Sequence, residues 1–193
     1  MDSLQLKCSC GKVRGEILEV APNSGIHLVC YCDSCQRFQE TLGCAEAFLN
    51  EHGGTEIYQT APSRIKITEG QEHIRCLKLT KKGPLRWYAS CCNTPIGNTM
   101  KASMPFVGII QSFVDADETK RQEVMGPIIA EVQTTHAYDS LPDHIKPVGF
   151  PIGITLKIMS KILFWKLRGF ARPSPFFDAE GTPLSKPERL SSS

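Results

Sequence analysis

Along residues 4–20, "LQLKCSCGKVRGEILEV", Val13, Gly15 and Ile17 alternate with charged or polar neighbours. That is the period-two pattern of a half-buried strand, entered through two cysteines and a glycine, Gly11, that permits a tight turn. "GIHLVCYC" reads as a second strand, and "DSCQRFQETLG" after it as a short helical turn. Further short segments have strand character and end at turn signals: "CAEAFLN" before "EHGG", "TEIYQT" before "APS", then "RIKITEG", "HIRCLKLT" before "KKGP", and "LRWYASCC". "PFVGIIQSFVD" is apolar enough for a buried strand, and "DADETKRQEVMG" is a charged loop or short helix. Short strands at near-regular spacing, punctuated by Gly and Pro, predict a mainly β domain.

The pattern changes after residue 145. "DSLPDHIKPVGFP" carries three prolines and reads as an exit from the core. "IGITLKIMSKILFWKLRGF" then predicts a helix of about four to five turns, and the Pro- and Ser-rich tail "ARPSPFFDAEGTPLSKPERLSSS" predicts little regular structure. The expected organisation is therefore a β domain over residues 1–145 and a helix with its tail over 146–193. On a helical wheel Lys157, Lys161 and Arg168 share a face, Lys166 lies opposite and Phe164 falls among them. The expected roles for residues 152–170 are packing on the β domain or on a second copy in a homodimer, with lysines snorkelling outward, or contact with a membrane surface. Four bases interrupt the run, so it is not expected to span a bilayer.

The charge balance, +2 over 193 residues, is too even for a dedicated nucleic-acid binder. The start, "MDSLQLKCSC", shows no apolar signal region, so a cytoplasmic setting is expected. In that setting nine cysteines are read as metal ligands or reactive thiols rather than disulfides. Residues two apart on a strand point to one face, so Cys8 with Cys10, and Cys30 with Cys32, can each grip one ion. Cys35 adds the C-x-x-C spacing of a zinc turn, and thiolate donors select zinc over magnesium or calcium. Cys44 and Cys76 stand alone and are read as buried thiols.

The order "CSCGKVRGEI", "CYCDSCQRF", "RWYASCCNTPIG" resembles the glutathione-dependent formaldehyde-activating (Gfa-like) family, which includes centromere protein V relatives. The resemblance covers roughly residues 5–145. It implies a small zinc-bearing β-tent-like sandwich of short antiparallel strands, here followed by a C-terminal helix, with one or two Zn2+ per chain. It also implies a structural zinc on Cys8, Cys10 and Cys92, and a second on Cys30, Cys32 and Cys35 with a fourth position open to a thiol or water. The implied activity is carbon–sulfur lyase chemistry on adducts of formaldehyde, or another small aldehyde, with a small thiol such as glutathione. Cys30, Cys32 and Cys35 are the implied catalytic residues, and Gln36 and Arg37 are candidates to orient a carboxylate; a solvated surface charge is the plainer reading of Arg37. The alternative is a non-catalytic, zinc-stabilised binding module that engages a protein partner or a membrane surface.

The late motif departs from the family pattern. Its first cysteine falls on Ala89, which cannot bind metal, and Asn93 stands on the glycine. Three outcomes follow in order: Cys91 completes the first site through a bulge or turn, Cys76 or Cys44 completes it from a neighbouring strand, or that zinc is weak or absent.

Overall fold

In a computed structural model that describes residues 2–143, 145 and 148–189, the alternating segments become strands of two sheets. Strands β1 (Asp2–Lys7), β2 (Arg14–Val20) and β5 (Ile65–Glu69) form the smaller sheet, in the order β1-β2-β5. The larger sheet is built from β3 (Ile26–Cys30), β4 (Thr55–Thr60), β6 (Ile74–Lys78), β7 (Leu85–Ala89), β8 (Thr94–Thr99), β9 (Val107–Ile110), β10 (Ala130–Val132) and β11 (Glu188–Arg189). Its order is β10-β3-β4-β9-β8-β7-β6-β11. The interior pairings are antiparallel, while the edge strands β10 and β11 run parallel to β3 and β6. The helices are α1 (Asp33–Thr41), α2 (Ala45–Phe48), α3 (Glu118–Met125) and α4 (Ile152–Leu167). The fold is mainly β with a C-terminal helix, as the pattern predicts. No helix among the described residues is long and apolar enough to cross a membrane.

The strand pleat sends successive side chains to opposite faces, and both faces of the larger sheet are covered. Towards the smaller sheet it presents Ile74, Cys76, Leu85, Trp87, Ala89, Ile96, Val107 and Ile109, which meet Leu4, Leu6, Ile17 and Val20 in one core. Towards the helices it presents Ile26, Leu28, Cys30, Ile57, Leu77 and Ile110, which meet Cys35, Phe38 and Leu42 of the α1 region and Ile154 and Ile158 of α4.

Two local expectations change, and one strand, β8, falls where the pattern carries no expectation. "CAEAFLN" forms α2 rather than a strand, because Ala45, Glu46 and Ala47 favour helix, and the chain becomes extended at Leu49. "TPIGNT" forms β8 although it holds a proline; a register irregularity opposite Trp87 and Tyr88 accommodates Pro95. The tail is less irregular than its composition suggests. Phe176 and Phe177 are buried on Trp87, with ring centroids 4.9 and 5.9 Å away, and Glu188–Arg189 pair with β6. Two adjacent aromatics bury enough apolar surface to fix a Pro-rich segment. Residues 146 and 147, at the expected boundary between β domain and helix, and the last four residues of the tail lie outside the described residues.

Beneath α3 a polar cluster ties helix to sheet. Arg121 donates from Nε and Nη2 to Glu56 at 2.8 and 3.1 Å, His27 Nε2 lies 2.9 Å from Glu56 Oε1, and His27 Nδ1 lies 2.8 Å from Gly126 O. Burial pushes the Glu56 carboxyl up, but the hydrogen bonds from His27 and Arg121 and the Arg121 charge override it and hold it at about 2. A depressed carboxyl stabilises the fold above its unfolded value and loses that contribution as pH falls through the folded one. Glu56→Gln is therefore expected to cost about 3 kcal/mol near neutral pH, by leaving Arg121 with a broken partner. The deficit relative to the parent closes between about pH 5 and pH 2. Urea unfolding of both proteins across that range checks this; a deficit independent of pH contradicts it.

Candidate metal centres

All nine cysteines are free thiols, and seven of them gather into two groups. In each group the sulfurs lie within 4.8 Å of one another: Cys8, Cys10, Cys91 and Cys92 in one, and Cys30, Cys32 and Cys35 in the other.

The first group joins two hairpins. After β1 the chain turns at Gly11, which has a φ of 76° that suits glycine. This turn closes through Gly11 N–H on Cys8 O at 2.8 Å and Cys8 N–H on Val13 O at 3.0 Å, while Val13 N–H donates to Cys8 Sγ at 3.2 Å. Cys91 and Cys92 lie in the β7–β8 turn, closed by Cys92 N–H on Ala89 O at 3.2 Å and by Asn93 at a φ of 56°. On a strand these adjacent side chains would diverge; in the turn both sulfurs face the same group. Thr94 stitches the hairpins together: its hydroxyl accepts from Ser9 N–H at 2.9 Å and lies 2.8 Å from Ser9 Oγ and 3.1 Å from Cys92 Sγ.

Sulfur spacing tests whether an ion fits. A tetrahedron with zinc–sulfur bonds of about 2.3 Å has edges of about 3.8 Å. Cys8–Cys10, Cys8–Cys91, Cys10–Cys91 and Cys91–Cys92 are 3.7, 3.8, 3.4 and 3.8 Å apart. These are far beyond a disulfide of about 2.05 Å and close to the zinc edge. Burial pushes the Cys8 and Cys91 thiols up. It also opposes ionisation of Cys92, but hydrogen bonds from the Thr94 hydroxyl and from the backbone of Cys10 and Thr94 pull that thiol down to about 6. Four thiolate-capable donors at these distances are compatible with zinc and leave no protein ligand missing.

Ala89 stays in β7, fully buried in the core between the sheets. Cys91, two residues later, takes the fourth place in the group. Cys76 faces the same inter-sheet core as Ala89, and Cys44 lies 3.5 Å from Gln39 O, so neither joins a group.

The second group sits where β3 ends and α1 begins. Cys30 and Cys35 are buried, and Cys32, at the N-cap of α1, is the partly exposed member. Cys32 O accepts from Cys35 N–H at 2.8 Å and from Gln36 N–H at 3.2 Å, which folds the three sulfurs inward. Beside them lies a residue that no sequence motif singled out. Arg86, on the helix-facing side of β7, is buried, donates from Nη1 to Cys35 Sγ at 3.6 Å and from Nη2 to Ser34 Oγ at 2.7 Å, and lies over the Phe38 ring at 5.6 Å. Its Nε is buried with no hydrogen-bond partner among the described residues. Hydrogen bonds from Cys30 and Cys35, aided by the Arg86 charge, pull the Cys32 thiol down to about 2 despite burial. The same interactions with Cys32, together with burial, push Cys30 up. Cys35 is drawn down by Cys30 but pushed up by Cys32 and by burial, which prevail. Cys32 is thus the first of the three to ionise.

Three thiolates around a divalent ion carry one net negative charge, which a buried guanidinium cancels, so the donor set and its surroundings fit a metal cation. The other two polar candidates are placed differently from one another. Gln36 is buried, and its Nε2 donates to Tyr31 O and His136 O, tying α1 to the segment after β10. Arg37 is exposed on the outer face of α1.

Comparison with known proteins gives a family but no activity. A model described as "Family of unknown function (DUF6151)" matches residues 2–188, and the chain belongs to that family. No curated protein matches. Among solved structures, the crystal structure of a Rhodobacter sphaeroides protein, a structural genomics target, resembles 63% of this chain and 97% of its own, at 15% identity and a TM-score of 0.45.

The turn geometry sets a test. Cys91→Ser is expected to lower the zinc content by about one ion per chain. Adding Ala89→Cys to that variant does not restore it, because residue 89 faces the inter-sheet core. Native mass spectrometry reads both; undiminished zinc in Cys91→Ser, or recovery in the double variant, contradicts the assignment.

Proposed function

We propose that this member of the DUF6151 family is a zinc–thiolate protein whose second group, Cys30, Cys32 and Cys35, binds a small thiol such as glutathione and promotes its addition to formaldehyde or another small aldehyde. The observation that carries the reading is the contrast between the groups. The first has four sulfurs, enough to close a structural site, whereas the second has three beside a buried cation, the ligand number of sites that keep a position for chemistry. The motif order shared with the Gfa-like family supports the same reading.

A zinc ion held by the three cysteines would supply Lewis acidity and favour the thiolate form of an added thiol. Cys32, the partly exposed sulfur, marks the side from which the thiol approaches. Arg86, buried beside Cys35, offsets the negative charge of the thiolates. In the addition the thiol sulfur bonds to the carbonyl carbon, the carbon–oxygen π bond opens, and the oxygen takes up the proton the thiol gave. Cleavage of the adduct is the reverse. Cytoplasmic residence would keep the thiols reduced.

A second reading is favoured by the burial of Cys30 and Cys35: a closed site in a non-catalytic binding module. X-ray absorption on the zinc protein separates the two. With one four-sulfur and one three-sulfur site the average is about 3.5 sulfurs per zinc, rising towards 4 when glutathione is added. The rise is expected to vanish in Cys32→Ser, together with adduct formation followed by NMR. An average of four sulfurs before any thiol is added, or undiminished adduct formation in Cys32→Ser, defeats the proposal.

A further inference from the structure

Helix α4 is apolar on two opposite faces. The inner one is anchored to the domain: Ile154 and Ile158 pack on the helix-side core and Trp165 is buried. Lys161 Nζ donates to Asn23 O, Ser63 N–H donates to Phe170 O, and Arg64 lies over the Phe170 ring. The outer face is a stripe of Ile152, Leu156, Met159, Leu163 and Leu167, exposed by 80, 65, 56, 58 and 79%. At 100° per residue these five fall within about 80° of arc, along a helix of 16 residues, about 24 Å long. A contiguous apolar stripe of this kind marks a contact surface.

Charge decides what the stripe contacts. Residues 152–177 contain no Asp or Glu, whereas Lys157, Lys166, Arg168 and Arg172 are basic. Lys166 borders one edge of the stripe; Lys157 and Arg168 lie beyond the other, with Arg168 over the half-exposed Phe164 ring at 5.7 Å. A second copy would bring the same basic borders together with no acid to pair them. A stable protein interface also takes roughly 20–30 residues a side, and the stripe supplies five large apolar ones. Anionic lipid satisfies both halves, acyl chains taking the stripe and headgroups the bases. We infer that α4 docks the protein on an anionic membrane surface, lying parallel to it with the outer stripe immersed.

Sedimentation of the full chain with phosphatidylcholine vesicles, with and without phosphatidylserine, tests this. Binding is expected only to the phosphatidylserine vesicles and is expected to weaken as salt rises. Leu156→Glu with Leu163→Glu should reduce it about tenfold or more, and Lys157→Gln with Lys166→Gln should also reduce it. These side chains lie away from the packed inner face, and unchanged circular dichroism and zinc content verify folding. Absence of binding at low salt overturns the inference, as does equal binding to both vesicle types. A salt-resistant dimer that Leu156→Glu with Leu163→Glu dissociates, without vesicle binding, assigns the stripe to a second copy instead and equally overturns it.

Discussion

The contact between the β1–β2 turn and the β7–β8 turn is the constraint on which the arrangement of this protein depends. Cys8 and Cys10 come from the smaller sheet, Cys91 and Cys92 from the larger. A metal ion shared by the four would staple the open end of the inter-sheet core. Without it, contacts among the four sulfurs and a few hydrogen bonds through Thr94 hold the turns together. Ion binding of this kind contributes directly to folding stability, because the unfolded chain has no preformed site.

One strand connects the two groups. In β7, Trp87 and Ala89 point into the inter-sheet core and Arg86 points to the opposite face beside Cys35. Beyond Ala89 the same strand turns into Cys91 and Cys92. Seating Trp87 under Phe176 therefore fixes the height of Arg86 at one group and of the turn at the other. The burial of Arg86 is tolerable because Ser34, Cys35 and the Phe38 ring receive it, and thiolates nearby repay part of the cost of desolvating a cation.

Local spacing made some of this legible. Cys30, Cys32 and Cys35 fall within six consecutive residues, so their meeting needs one strand end and one helical turn. The alternation in β2, β4 and β6 likewise needs only neighbours. Arg86 left no such trace, since a lone arginine between Leu85 and Trp87 looks like any outward-facing strand charge until the second layer is placed. The same holds for Phe176 and Phe177, whose Pro-rich surroundings point to a loose tail while their burial depends on Trp87, far away in sequence. The choice of Cys91 over Ala89 depended on turn geometry, and Asn93 at positive φ was its one local hint. The imperfect wheel of α4 resolves into two apolar faces, a pattern hidden when a single face is sought.

Hydrogen exchange before and after metal removal tests the cross-sheet tie most directly. Chelation of the zinc-loaded protein is expected to speed exchange at the backbone amides of Gly11, Val13 and Cys92 and along the facing strands β1, β2, β7 and β8, while Phe38–Leu42 of the α1 region and the β4–β9 pairing stay comparatively protected. Unchanged protection at those turns after the metal has left would contradict the account.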